Sequence, residues 1–263
     1  MDISQAPVGV FDSGVGGISV LRELVKLMPN ENYIYYGDSK NAPYGPKTLQ
    51  EVRALTVSHI DFLVERGVKA IVVACNTATT AAIHLLREKY KDLPVVGIEP
   101  AVKPAVLSKK DARVLVMATP MTIREEKFHH MMEEYETQAV IYPLACPGLP
   151  EFVEAGDLDG EDLKAYLREK FVPYLGKVDA VVLGCTHYPF VRPVIQEMFG
   201  SSVAIFDGGA GTARELRRRM KKDGILNVSK EKGSIEILNS KETAEEIALC
   251  EKLLSLDENP DKK

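Results

Sequence analysis

The sequence predicts an α/β protein made of two pseudo-symmetric α/β domains with mainly parallel sheets and an active site in the cleft between them. Three observations lead there. Short apolar runs alternate with longer helical patterns along the whole 263-residue chain, the order expected of strands joined by right-handed helical crossovers. Two interior runs, residues 70–74 and 180–183, lack polar alternation and read as strands covered on both faces. One phrase also occurs twice: AIVVACNTATT, with Cys75, and AVVLGCTHYPF, with Cys185.

The first cycle runs strand VGVF, helix GGISVLRELVKLM, strand YIYY, helix TLQEVRALTVSHIDFLVER, strand AIVVA, helix TATTAAIHLLREKY. In the helix after Thr48, the apolar residues Val52, Leu55, Phe62 and Leu63 share one side, so His59, which falls among them, reads as a satisfied core histidine rather than a ligand. A second cycle follows PVVGIEPAVKPA: strand RVLVMATP, a helix, strand AVIYPLAC, helices, strand DAVVLGCTHYPF, a helix, strand VAIFDGG. Matching the cycles sets VGVFDSG opposite VLVMATP and the two cysteine strands opposite each other, 110 residues apart, the pattern of an internal duplication. The run SIEIL and the helical ETAEEIALCEKLLSL finish one half. Residues 1–98 with 208–263 are thus expected to form the first domain and 99–207 the second, with hinges near Glu99 and Asp207. The tail DENPDKK is expected to fray.

Composition narrows the function. A hydrophobic share of 45% and a charged share of 27% belong to a soluble globular chain. A net charge of -5 supplies no basic stripe for nucleic acid. The one basic cluster, Arg217, Arg218, Arg219, Lys221 and Lys222, lies on a helix expected to begin near Ala210 and reads as a solvated face or helix C-terminus. Four cysteines without close spacing, and no secretory signal ahead of them, indicate reduced thiols in a cytoplasmic protein. No apolar stretch reaches the length of about 18 residues that a membrane helix needs.

The repeated cysteines carry the chemistry. A parallel strand delivers its last residues to the crevice at the sheet edge, where ligands of open α/β proteins bind. Cys75 and Cys185 both fall at such tips, and the helix-start amides of Asn76, Thr77, Thr186 and His187 could bind a carboxylate there. The same helix field would ease ionisation of the neighbouring sulfur. Two opposed thiols suggest proton transfer to and from one carbon. Cys146, before Pro147, and Cys250, within a helical pattern, read as packing.

Other motifs are weaker. GVFDSGVGG allows a tight turn but misses the dinucleotide spacing G-x-G-x-x-G. At the strand tip, Asp12 and Ser13 could hold an ammonium group, or Asp12 could cap the next helix. Tyr44 and Gly45 lie in the turn-rich loop GDSKNAPYGP. Cys185 and His187 lack the partners of a zinc site, and a cysteine protease would leave the second thiol unexplained. His129 and His130 sit in a charged helical stretch and read as solvent-facing.

Together GVFDSGVGG, YYGDSKNAPYG, VVACNTAT, GLPEFVEAG and LGCTHYP resemble the glutamate racemases of the aspartate/glutamate racemase superfamily. The resemblance runs from Val8 to about Leu226. It implies cofactor-independent conversion of L-glutamate to D-glutamate for peptidoglycan, with neither pyridoxal phosphate nor metal. It further implies a cytoplasmic homodimer whose small-molecule partner is glutamate, with no nucleic-acid or membrane partner. The implied catalytic pair is Cys75 and Cys185, with Cys75 acting on D-glutamate and Cys185 on L-glutamate. The auxiliary groups are Asp12, Glu154 and His187, and the substrate-binding residues are Asp12, Ser13, Tyr44, Gly45, Asn76, Thr77, Thr119, Thr122, Thr186 and His187. Around Glu154 the chain reads VEAG where many relatives resemble VESG. Two other readings fit the same thiols: a racemase of another amino acid such as aspartate, and a non-catalytic amino-acid-binding protein. The second leaves the paired sulfur without a purpose.

Overall fold

The computed structural model describes residues 2–256. The expected fraying of residues 257–263 lies outside the described residues. The chain opens with β1 (Val8–Asp12), α1 (Ile18–Leu27), β2 (Tyr33–Gly37), α2 (Leu49–Glu65), β3 (Ala70–Val73), α3 (Asn76–Lys89) and β4 (Val95–Gly97). There follow α4 (Val102–Val106), β5 (Ala112–Ala118), α5 (Pro120–Arg124), α6 (Glu126–Glu133), β6 (Ala139–Ala145), α7 (Leu149–Glu154), α8 (Glu161–Phe171), β7 (Ala180–Leu183), α9 (Arg192–Phe199) and β8 (Ala204–Asp207). The last elements are α10 (Gly209–Lys222), β9 (Ile235–Asn239) and α11 (Ala244–Ser255).

Two parallel sheets result, ordered β4-β3-β1-β2-β9 and β6-β5-β7-β8. Read as β4-β3-β1-β2 and β8-β7-β5-β6, they share one strand order, in keeping with the duplication the sequence suggests. The added β9 pairs with β2. In each sheet the chain first builds to one side of the central strand and then crosses to the other, so the switch points lie between β1 and β3 and between β5 and β7. Ligands of such sheets bind outside the carboxyl ends of the strands at these points.

Both faces of each sheet are covered, hence the unbroken apolar runs. Val8, Val10, Ala70 and Val72 face α1 and α10 through Leu21, Leu24, Leu216 and Met220, whereas Phe11, Ile71 and Val73 face α2 and α3 through Val52, Leu63 and Ile83. Each of the Val, Leu, Ile, Met and Phe side chains contributes roughly 1.5–3 kcal/mol on burial. A capping box starts α2: Thr48 accepts from the Glu51 N–H, and the Glu51 carboxylate accepts from the Thr48 N–H at 2.8 Å. The buried stripe of α2 is Val52, Thr56, Ile60 and Leu63. Leu55, His59 and Phe62 are only half-buried, one position round from the expected stripe. His59 stacks on Phe11 and Tyr36 with its Nε2 3.0 Å from Asp38 Oδ2, but the two are not aligned as a hydrogen bond, so the expected satisfied histidine is held by ring packing and charge proximity instead. The basic cluster occupies the exposed end of α10, with Arg218 and Arg219 paired to Glu215. His129 and His130 are exposed on α6. No helix among the described residues is long and apolar enough to cross a membrane.

The chain crosses between sheets after β4 and returns after β8. These crossings touch. A methyl group on Gly208 would lie 2.8 Å from Ile98 Cγ1 and closer still to the Glu99 carbonyl oxygen. At the opposite end of the first sheet, ahead of β3, Lys69 Nζ sits 2.5 Å from Glu31 Oε2 with both side chains almost wholly buried, and it also donates to the Ser4 carbonyl. Glu31 accepts in turn from the Asn227 N–H at 2.7 Å. Lys69→Ala is expected to cost about 3–5 kcal/mol by leaving a buried carboxylate unpaired. A fall in the urea midpoint at unchanged m-value would register it, and a midpoint equal to wild type would refute it.

Candidate active site

Seven strand tips converge on one cavity of about 540 Å³, within the range usual for small-molecule sites. The first sheet contributes Ser13 after β1, Ser39 and the loop through Tyr44 and Gly45 after β2, Cys75, Asn76 and Thr77 after β3, and Lys241 after β9. The second contributes Thr119 after β5, Cys146 after β6, Cys185, Thr186 and His187 after β7, with Glu154 from α7. Both thiols are free and buried, and both line this cavity, one from each sheet.

Cys75 is the N-cap of α3. Its sulfur accepts from the Ala78 N–H at 3.4 Å and lies 3.3 Å from Ser13 Oγ. The first-turn amides of Asn76 and Thr77 have no carbonyl within the helix to donate to. The expected easing of ionisation is not what the structure shows: burial, then the negative charge of Asp12, pushes the Cys75 thiol up to about 12, against the two hydrogen bonds. The tip after β7 also differs from its counterpart. Cys185 is followed by a turn and a short 3-10 helix, Tyr188–Val191, before α9 begins at Arg192. Pro189 and Pro193, each near the start of its helix, supply no N–H, so this thiol lacks the α-helix terminus its partner caps.

A charged pair stands there instead. His187 Nδ1 lies 3.7 Å from Cys185 Sγ, and His187 Nε2 lies 2.6 Å from Glu154 Oε1. Burial disfavours the imidazolium, but the contacts with Cys185 and Glu154 outweigh it and hold His187 well above its usual range. Burial likewise opposes the Glu154 carboxylate, and His187 with the Val15 N–H outweighs it, so Glu154 stays below its usual range. Asp12 is different. It is fully buried, its carboxylate accepting from the Gly14 N–H at 2.9 Å and the Thr186 hydroxyl at 3.0 Å, and burial pushes it up. It neither lines the cavity nor caps α1, because its side chain folds under its own turn.

Thr77, Thr119 and Thr122 share a hydroxyl cluster across the cleft, with Thr77 3.1 Å from Thr119 and Thr119 3.0 Å from Thr122. Thr122 stands behind the wall rather than in it. Tyr44 reaches the cavity, while its hydroxyl donates to Asp38 at 2.7 Å. Asn76 is 4% exposed, and neither polar atom of its side chain has a partner. A buried amide left open in this way is the mark of a binding group.

Sequence reasoning passed over several lining residues. Cys146, assigned to packing, is indeed buried but forms part of the wall; its thiol points to the Leu144 carbonyl, and burial pushes it up to about 12. Its place at the tip of β6 was the available signal. Arg124 and Lys241 bring positive charge to the rim, and nothing in their local strings marks them. Cys250 is buried away from the cavity. Among the described residues no three His, Cys, Asp or Glu side chains converge as a metal-ligand set.

Residues 8–216 match the Asp/Glu/Hydantoin racemase family. A glutamate racemase of Clostridium perfringens is 54% identical over 256 residues, spanning 97% of this chain and 98% of the relative. One of Clostridium novyi is 50% identical over 258 residues, spanning 97% and 100%. Among solved structures, a glutamate racemase isoform from Bacillus anthracis aligns with a TM-score of 0.87 at 30% identity, covering 97% of this chain and 96% of that one. The Francisella tularensis glutamate racemase in complex with D-glutamate aligns with a TM-score of 0.83 at 26% identity, covering 97% and 95%.

Proposed function

The chain belongs to the Asp/Glu/Hydantoin racemase family, and from that premise we propose that it interconverts L- and D-glutamate by two-thiol proton transfer, supplying D-glutamate for peptidoglycan. One observation carries the reading: two buried thiols, at matching strand tips of two sheets, line a single cavity. A binding protein has no use for the second.

For L-glutamate the Cys185 thiolate takes the α-proton, breaking C–H and forming S–H. The Cys75 thiol gives its proton to the opposite face. For D-glutamate the roles exchange, and no electron is gained or lost. The α-proton of an amino acid is very weakly acidic, so the developing carbanion needs donors already in place at the carboxylate. The first-turn amides of α3, the Asn76 amide and the backbone N–H of Thr186 supply them. Cys75, held as a thiol by burial and by Asp12, gains its thiolate form when substrate ammonium adds a positive charge beside it. Beside Cys185 the positive charge is that of the protonated His187, 3.7 Å away. Asp12 works through Thr186, whose hydroxyl it holds. Thr122 works through Thr119.

Residues 1–98 with 208–263, and residues 99–207, act as two domains that hinge at Glu99 and Asp207. We place the reaction in the cytoplasm, in keeping with four unpaired cysteines, and take the working form to be a homodimer, which sedimentation velocity would test.

Optical rotation of L-glutamate, L-aspartate and L-alanine incubated with the protein is the direct assay. Decay of the glutamate signal alone is expected. Decay of aspartate in preference, or of none, would overturn the proposal. Asn76→Ala is expected to raise KM for glutamate by about 10- to 100-fold, the value of a hydrogen bond to a charged group. Because its amide has no partner in the free protein, the unfolding temperature should hold or rise. A stability loss with unchanged KM would show that Asn76 serves the fold instead.

A further inference from the structure

Glu154 belongs to α7 of the second half, yet part of what holds it comes from the first. Its Oε1 accepts both the His187 ring nitrogen at 2.6 Å and the backbone N–H of Val15 at 2.9 Å. Its other oxygen lies 3.4 Å from Ser39 Oγ. The turn carrying Val15 is fixed on its own side: the Gly14 carbonyl accepts the Tyr35 hydroxyl at 2.7 Å, the Gly14 N–H donates to Asp12, and α1 starts on the Val15 and Gly16 carbonyls.

The glycines on either side of Val15 are as tightly engaged. A methyl group on Gly14 would lie 3.0 Å from Glu154 Cδ and nearer still to Oε1, and one on Gly16 would lie 2.6 Å from His187 Cε1. Neither glycine has a positive φ. Clearance for the opposing pair, rather than backbone freedom, therefore demands the missing side chains. Two further contacts lock the same region across the cleft: Thr186 Oγ1 on Asp12 and Ser19 Oγ on the Thr186 carbonyl at 2.8 Å.

We infer that the turn Gly14-Val15-Gly16 is a positioning element for the Glu154–His187 pair, so that this pair is complete only while the two halves are apposed. The inference rests on the proposed racemase reading and deepens it. When the halves part, Val15 withdraws its N–H, Glu154 loses a donor, and His187 loses its fixed partner. The titratable and charged groups facing the pair are Cys185, Asp12, Lys241, Tyr35 and Cys250. Cys185 is then properly served only in the closed form, whereas Cys75 keeps Ser13 and the α3 amide, which belong to its own half. Apposition thus governs one proton-transfer group more than the other.

Gly14→Ala and Gly16→Ala test this beside wild type and Gly211→Ala, a helical glycine with open surroundings. Each of the two turn variants is expected to lose about 10²-fold in kcat, the scale of a displacement of about 1 Å at a reacting site, with KM little changed. The alkaline limb of the kcat profile should move to lower pH, since His187 less firmly paired gives up its proton sooner. In heavy water, α-proton exchange from L-glutamate should fall with kcat and exchange from D-glutamate should fall much less. Unchanged kcat and pH profile in both variants would overturn the inference. Equal loss of both exchanges together with a lower unfolding temperature would also overturn it, assigning the glycines to general packing. Failure of wild type to racemise glutamate would sink the underlying reading instead.

Discussion

Cys75→Ser and Cys185→Ser are each expected to lower racemisation by at least about 10²–10⁴-fold, the range for removal of a positioned acid or base. Serine keeps the volume and most of the hydrogen bonding, so the variants should fold. The enantiomers have equal free energy, so kcat/KM must fall by the same factor in both directions whichever thiol is lost. Racemisation rates alone therefore cannot tell the sulfurs apart. Exchange in heavy water can. In Cys75→Ser the remaining Cys185 should still remove and return the α-hydrogen of L-glutamate, incorporating deuterium without inversion, while D-glutamate stays unlabelled. In Cys185→Ser the pattern should reverse. Labelling of both enantiomers by either variant, or racemisation that survives it, would end the two-thiol mechanism.

His187→Asn is expected to lower kcat by about 10²-fold, because the group that makes the neighbourhood of Cys185 positive is lost. Glu154→Gln should act in the same direction and add little to His187→Asn in the double variant, since residues within one hydrogen-bonded pair do not contribute independently. The two groups also define a pH window. Glu154 sits below its ordinary 4.5 in the folded chain, so its share of the pairing is present above about that pH and lost as pH falls through the folded value. His187 sits above its ordinary 6.5, so its share is full below 6.5 and is lost as pH rises through the folded value. Unfolding free energies of wild type and of Glu154→Gln, taken across that window, should differ most between these limits and converge outside them. A difference that does not vary with pH would mean that the contact is not ionic.

Most of the fold could be read from the sequence because buried parallel strands leave a clear trace. AIVVA and AVVLG carry no polar alternation, and both strands are buried on both faces. The repeated cysteine motif located the cavity for the same reason: a strand tip fixes an address, and the side chain there needs no long-range information. Where reading failed, the missing information was tertiary. Asp12 looks like an open strand-tip carboxylate, and only the path of its own turn puts it beneath the wall. His59 shares a helix side with apolar residues, but its partner Asp38 comes from another loop. The role of Val15 rests on a backbone amide, which no residue type announces. The unlike helices after Cys75 and Cys185 were within reach, since Pro189 and Pro193 already forbid a copy of α3.

The touching crossings at Glu99 and Gly208 carry a different consequence. All strands of the second sheet fall between them, so the segment 99–207 enters and leaves the rest of the molecule through a single narrow doorway. A cassette attached in that way is expected to be exchangeable between relatives with both joints at one spot, carrying Thr119, Glu154, Cys185 and His187 as a unit. Tolerance of such chimaeras would then hinge on the glycine turn that has to receive the incoming pair.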